Sequence, residues 1–152
     1  MSKEGIPMER FMNIILYGLE KALWNVVGEG AFAITSPIGK GMLEIMKKEL
    51  GLKVSGEEAQ DVLNGIAKRF IEDFKIAEGL EITKNDNMVT VSVKHCILSQ
   101  KEFLLQKQNI APFACPFTNV ARAAMEELLG LKTGIKKIDF KGDHCEITFE
   151  IF

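Results

Sequence analysis

The fold is decided by the segment from Ala111 to Phe152, which is APFACPFTNVARAAMEELLGLKTGIKKIDFKGDHCEITFEIF. Its first part predicts an amphipathic helix, because apolar residues recur three and four positions apart along one stripe: Phe117, Val120, Ala121, Ala124, Met125 and Leu128. Pro116 suits the first helical position, which places Cys115 at the N-cap, and Gly130 ends the helix. A thiol at this N-cap lies at the positive end of the helix dipole, which favours its thiolate form.

The second part of the segment predicts a β-hairpin. Gly142-Asp143 is a two-residue loop with glycine first, as a type II′ turn requires. Alternation along the two strands then gives one apolar face, formed by Ile138, Phe140, Cys145, Ile147, Phe149 and Ile151. In this register Phe140 lies opposite Cys145. The thiol of Cys145 therefore points into the core, whereas His144 points outward.

The rest of the chain predicts helices before a further pair of strands. Helical periodicity covers residues 8–27 and 39–50, and a capping box of Ser55 and Glu58 begins a helix that ends near Asp73. Period-two patterns follow around residues 80–82 and 89–97, whereas residues 99–114 show no clear period and indicate a loop with at most one helical turn. The sequence thus predicts one α+β domain over residues 1–152, with an antiparallel four-stranded sheet packed against helices and a helical N-terminal half.

Composition excludes several functions. The net charge of −2 provides no basic field for nucleic acid, so we expect no nucleic-acid partner. Three cysteines without a signal peptide predict a reducing, cytoplasmic location. Charged and amide side chains interrupt the apolar helix 8–27, so we expect no membrane span. Because that helix is apolar on more than one side, the sequence predicts a homodimer that uses it.

Histidine and cysteine side chains in the second half of the chain form a candidate metal site. They are two His-Cys dipeptides and the helix-capping cysteine, namely His95, Cys96, Cys115, His144 and Cys145. Sulfur and imidazole ligands favour zinc in a reducing cell. Strand alternation turns His95 and Cys145 inward towards Cys115, and Cys96 and His144 form the other choice unless a bulge changes the register. Since no CxxC pair is present, buried free thiols remain an alternative, as does a Cys115 nucleophile with a histidine base.

The same segments resemble a known family. The resemblance rests on Cys115-Pro116-Phe117, on the helix that ends Leu-Leu-Gly at 130, and on the hairpin GDHCEITF at 142–149. These residues are similar to the signature of the 4-vinyl-reductase-like (hydrocarbon-binding) domain family, best over residues 89–152. The fold superfamily of that family also contains haem nitric-oxide-binding domains and transport protein particle subunits.

The resemblance implies a small-molecule-binding domain, often dimeric, with an apolar cavity between sheet and helices and a zinc ion beside it. Cys115 and Cys145 match two family cysteines, and Lys137 stands where a third is common, so His95 or Cys96 is the natural replacement. No nicotinamide or flavin motif accompanies the family name, so the name gives no indication of reductase activity.

Our hypothesis from the sequence is a domain that binds a small apolar molecule beside a zinc site. Five residues are expected to line the pocket: Phe117, Val120, Ala121, Ala124 and Phe140. Four are candidate zinc ligands: His95, Cys96, Cys115 and Cys145. Two alternatives remain open, a cysteine-dependent enzyme or redox protein using Cys115 and a dimeric interaction module without a ligand. Small residues on the helix permit either a cavity or close packing.

Overall fold

The computed structural model describes residues 5–152 and confirms the predicted α+β architecture. The helices are α1 (Met8–Val27), α2 (Thr35–Glu49), α3 (Ala59–Glu72), α4 (Ser99–Gln106) and α5 (Pro116–Leu129), and the 3₁₀ segment Gly28–Ile34 joins α1 to α2. The strands are β1 (Gly79–Asn85), β2 (Met88–Lys94), β3 (Thr133–Phe140) and β4 (His144–Ile151). The helical first half and the sheet in the second half follow the sequence prediction.

The four strands form one antiparallel sheet in the order β1-β2-β4-β3. The predicted hairpin register is confirmed, since Phe140 pairs with Cys145 and Ile138 pairs with Ile147. Gly142 in the connecting turn has a φ of 88°, a conformation that glycine adopts without steric strain. A register shift between Ile135 and Lys137 marks a bulge in β3.

The core lies between one face of the sheet and helices α3 and α5. Alternate residues of β2 and β4 are buried there, as period two requires: Val89, Val91, Val93, Cys145, Ile147, Phe149 and Ile151. The facing stripes of α3 and α5 supply Val62, Leu63, Ile66, Phe70, Phe117, Val120, Ala124 and Met125. Burial of such apolar side chains, at about 1.5–3 kcal/mol each, drives the formation of this layer.

Helix α2 packs against α5 without space for a side chain at one point. A Cβ atom on Gly39 would lie 2.1 Å from the carbonyl oxygen of Asn119. Glycine at position 39 therefore permits the two helix backbones to approach each other. This crossing fixes α5, and with it the Cys115 N-cap, relative to the helical half of the chain.

Helix α1 buries the side opposite to the one that its apolar periodicity predicts. Its buried residues are Asn13 and Glu20, and the stripe with the strongest helical period is exposed: Phe11, Ile14, Ile15, Leu19, Ala22, Leu23 and Val26. The helix packs on α4 and the 3₁₀ segment rather than on the sheet. Among residues 5–152, no helix is long and apolar enough to span a membrane.

Two local predictions need correction. Helix α3 is capped by Glu58 and Asp61, which form a reciprocal capping box, rather than by Ser55 and Glu58. Residues 99–106, where the sequence indicated a loop with at most one turn, form the two-turn helix α4. The apolar residues of this helix show no clear helical period because its buried positions include charged residues.

Candidate functional site

Three cysteines from three separate elements approach each other at one end of the sheet. Cys96 follows β2, Cys115 occupies the N-cap of α5, and Cys145 lies in β4. All three are free thiols; Cys115 and Cys145 are buried and Cys96 is half-buried. They are within electrostatic range, because the charge of Cys115 influences Cys96 and both of these influence Cys145. We call these three thiols, together with Glu102, the thiol cluster.

His95 does not take the inward position that strand alternation predicted. The strand ends at Lys94, and His95 adopts a left-handed conformation with a φ of 50°. Its side chain is exposed, and its Nε2 lies 3.8 Å from a carboxylate oxygen of Glu78. This reversal of the chain turns Cys96, rather than His95, towards the other two cysteines.

Glu102 is the acidic member of the thiol cluster. It lies in the first turn of α4, its side chain is almost fully buried, and its Oε2 has no hydrogen-bond partner. The carboxyl group is hydrogen-bonded with the thiol of Cys145 and is close enough to raise the pKa of Cys96 and Cys115 as well. A single buried carboxyl group is therefore hydrogen-bonded with one thiol and lies within electrostatic range of the other two.

Burial is the main cause that shifts the pKa of each group in the thiol cluster. The pKa of Cys96 is raised to about 12, chiefly by burial and secondly by the charge of Glu102, whereas the backbone N–H of Leu98, 3.4 Å from Sγ, lowers it. The pKa of Cys115 and that of Cys145 are also raised, first by burial and then by Glu102. Burial likewise raises the pKa of Glu102, although Lys101 opposes this shift. The predicted thiolate at the N-cap is therefore wrong, because desolvation outweighs the helix dipole.

A buried polar network connects the thiol cluster to α1. Lys101 Nζ and Glu20 Oε2 lie 2.8 Å apart, with 0% and 3% of their side chains exposed. Glu20 Oε1 also accepts a hydrogen bond from the backbone N–H of Ala114 at 2.9 Å. Asn13 donates to the carbonyl of Ile97 at 2.7 Å and accepts from the N–H of Lys101 at 2.9 Å. The polar side of α1 thus binds the loops that carry Cys96 and Cys115.

The residues expected to line a pocket pack in the core instead. Phe117, Val120, Ala121 and Ala124 are fully buried against the sheet, so small side chains here permit close packing. Phe140 is half-buried and contacts Phe103 near the surface. An apolar cavity of about 450 Å³ lies on the other side of this layer, between α1, α2, α3 and the chain before α5. Its wall includes Met12, Leu16, Leu23, Met42, Met46, Phe74 and Phe113.

The predicted zinc site is not supported. In the part of the chain that the structure describes, no three His, Cys, Asp or Glu side chains are arranged so that they could hold a metal ion. The two histidines lie at the surface: His95 near Glu78, and His144 against Asp143, whose Oδ1 is 2.7 Å from Nδ1. Of the four candidate ligands, the structure brings together the three cysteines and leaves out the histidine.

Sequence reasoning missed Glu102, Lys101 and Glu20, the charged residues of the site. A charged pair inside a short segment without period gives no signal of burial, because such residues are usually solvated. Glu20 offered a weak signal, since it interrupts an otherwise apolar helix. A carboxylate in that position is either exposed or paired.

Comparison with known proteins identifies the family. The family described as "Putative rubredoxin C-terminal domain" matches residues 12–151, which is most of the chain. A protein of Methanothermobacter thermautotrophicus named "Putative rubredoxin" is 26% identical over 134 residues, covering 88% of this chain and 67% of that protein. An uncharacterized protein of Methanocaldococcus jannaschii is 28% identical over 120 residues, covering 77% of this chain and 70% of that protein.

These matches overturn the resemblance inferred from the sequence. They support the rubredoxin-associated family, and nothing in them indicates a 4-vinyl-reductase-like or hydrocarbon-binding domain. The segments that carried the resemblance, a cysteine before a helix and a cysteine after a glycine turn, are local patterns. Such patterns specify a helix cap and a hairpin, and they are compatible with more than one family.

Proposed function

Because the chain belongs to the family described as "Putative rubredoxin C-terminal domain", we propose that it is a domain of a redox protein. Its redox-active groups are the thiols of Cys96, Cys115 and Cys145. One observation carries the proposal: three cysteines that are separated by 19 and 30 positions in the sequence all lie within electrostatic range of the buried carboxyl group of Glu102. The name of the relative from Methanothermobacter thermautotrophicus supports the redox class.

The iron implied by the rubredoxin name does not fit this chain. A tetrahedral iron–sulfur site of that kind uses four cysteine thiolates. The sequence contains three cysteines and no CxxC pair, and no metal-holding group occurs among residues 5–152. The redox chemistry proposed for this domain is therefore that of its thiols.

The proposed step is the conversion of two thiols into one disulfide. A thiolate of the thiol cluster attacks an external disulfide, and a mixed disulfide forms as one external thiol leaves. A second cysteine of the thiol cluster then attacks the mixed disulfide and releases the second external thiol. The domain loses two electrons and two protons, and the external disulfide gains both to become two thiols. Cys96 is the least buried of the three sulfurs and is the proposed point of first attack, which is slow at neutral pH because its raised pKa leaves little thiolate.

The pKa values of the thiols bear on whether the disulfide form is a strong or a weak oxidant. A thiol with a depressed pKa stabilises the reduced form as a thiolate and makes the disulfide a strong oxidant. Here the pKa of every cysteine is raised, so the reduced form has no such stabilisation at neutral pH. We therefore expect the disulfide form to be a weaker oxidant than one whose reduced form is a stabilised thiolate.

The experiment is equilibration of the purified domain in dithiothreitol redox buffers at pH 7, followed by acid trapping and mass spectrometry. We expect one intrachain disulfide and one remaining thiol per chain. Single Cys→Ser variants identify the pair, because two of the three variants lose the disulfide and the third retains it. The proposal fails if all three thiols stay free under strongly oxidising conditions, or if only disulfides between chains form.

A second candidate function is binding of a small apolar molecule. The observation that favours it is the cavity of about 450 Å³, whose wall is almost entirely apolar. Its volume is within the range of about 300–1,000 Å³ that small-molecule sites occupy. Leu16→Trp should fill the cavity and abolish binding of a fluorescent apolar probe, whereas Phe103→Trp, at an exposed position that does not line the cavity, should not. Equal probe binding by wild type and Leu16→Trp would exclude this function.

A further inference from the structure

The side of α1 that faces away from the protein is a continuous apolar surface. We call it the outer face of α1; it lies opposite the buried Asn13 and Glu20 and consists of Met8, Phe11, Ile15, Gly18, Leu19, Ala22 and Val26, of which Leu19 also borders the apolar cavity. The large side chains of this face are 44% to 81% exposed. The opposite side of the helix is held by Lys101 and Ala114 through Glu20, so rotation of α1 to bury the outer face would break the ion pair.

Gly18, near the middle of this face, is not required by any close contact within its own chain. Gly18 lies inside a continuous helix, where glycine is unfavourable relative to alanine. A Cβ atom at this position would meet nothing within 4 Å. By contrast, Gly39 is required by the backbone of α5. The open space around Gly18 permits another backbone to approach the helix closely at this point.

We propose that the partner is a second copy of this chain, and that two α1 helices pack antiparallel across a two-fold axis between Gly18 and Leu19. A two-fold contact places the same surface on both subunits, so each residue meets its counterpart at the mirrored position. With this axis Phe11 lies opposite Val26 and Ile15 lies opposite Ala22 of the partner subunit. Near the axis, Leu19 thus faces Gly18 and Ile15 faces Ala22, so that large side chains meet small ones there, as close packing requires.

The extent of the surface agrees with this partner. The 20-residue helix is about 30 Å long, and its exposed apolar side chains present on the order of 600 Å². That area is at the upper limit of about 300–600 Å² for the largest apolar patch on a typical monomer. It supplies most of the roughly 800 Å² per subunit that a standard interface buries. The neighbouring cavity wall at Met12 and Leu23 extends it further.

The first test measures association of the wild type and of Gly18→Leu by sedimentation equilibrium. The matched control is Gly41→Leu, because Gly41 is also an exposed helical glycine with open space around it. We expect a dimer for the wild type and the control. The dissociation constant of the Gly18→Leu dimer should be at least about tenfold higher, because overpacking disrupts a close contact. Circular dichroism should show undiminished helix content in both variants. A monomeric wild type at millimolar concentration, or unchanged association of Gly18→Leu, would overturn the proposal.

The second test determines the direction of pairing by disulfide crosslinking. Leu19→Cys lies beside the axis and should crosslink to its own copy under mild oxidation. Val26→Cys should not, because the two copies of position 26 are roughly 22 Å apart along antiparallel helices. A mixture of Phe11→Cys and Val26→Cys should crosslink instead. Efficient self-crosslinking of Val26→Cys would show parallel pairing and refute the two-fold arrangement.

Discussion

The buried ion pair between Lys101 and Glu20 gives the sharpest test of how α1 is held. Lys101→Met removes the cation and leaves the Glu20 carboxylate in a site from which water is excluded. Removing one partner of a buried pair destabilises a protein by about 3–5 kcal/mol. For a domain of this length, each kcal/mol lowers the melting temperature by about 2–4 °C, so we expect a decrease of roughly 6–20 °C. The exposed pair of Lys47 and Glu127, with a nearly equal separation of 2.9 Å, provides the matched control.

Urea unfolding of four proteins completes the test: wild type, Lys101→Met, Glu20→Leu and the double variant. Glu20→Leu should be at least as destabilising as Lys101→Met, because it also leaves the N–H of Ala114 without its acceptor. The double variant should lose several kcal/mol less than the sum of the single variants, since neither buried charge remains unpaired. Lys47→Met should change the stability by less than about 1 kcal/mol. If Lys101→Met is no more destabilising than Lys47→Met, or if the single effects simply add, this account of the ion pair is wrong.

Three further predictions concern the packing and the thiol cluster. Gly39→Ala should destabilise the protein by at least about 2 kcal/mol, because its Cβ would collide with Asn119, whereas Gly41→Ala should be neutral or stabilising in the same thermal unfolding assay. Burial raises the pKa of Glu102, so the folded state binds this proton more tightly and wild-type stability should fall as the pH rises above about 4. In urea titrations at pH 4 to 8, Glu102→Gln should remove this decrease of stability with pH. An unchanged decrease would show that ionisation of Glu102 is not its cause. With a pKa of about 12, Cys96 should react with iodoacetamide at pH 8 on the order of 10³-fold more slowly in the folded than in the unfolded protein, and equal rates would disprove its burial.

Several features of the fold follow from local sequence alone. The α5 stripe between Pro116 and Gly130, and the hairpin at Gly142, depend on residues that are neighbours in the chain. Their signals are proline geometry, glycine conformation and side-chain period, each of which acts over a few residues. The four-stranded antiparallel sheet followed from the same kind of pattern. These elements were predicted with the correct pairing of Phe140 and Cys145.

Resemblance and spacing were poorer guides to the site. The alternation of β2 predicted an inward His95, but the strand ends one residue earlier and a positive φ reverses the order of His95 and Cys96. Where a strand ends depends on the partner strands and loops, which no local pattern contains. The family inferred from short motifs was wrong for a related reason, because helix caps and glycine turns recur in unrelated proteins.

Local sequence was sufficient to predict the helices and strands with a clear apolar period, because side-chain period is a property of adjacent residues, but it did not reveal α4. Which side of α1 is buried depends on contacts with distant parts of the chain. Periodicity favours the apolar side, yet Asn13 and Glu20 face inward because Lys101 and the backbone groups of Ile97 and Ala114 satisfy them there. The meeting of the cysteines with Glu102 was decided in the same way. A buried charge is stable only with partners, and its partners here lie more than 80 positions away in the chain.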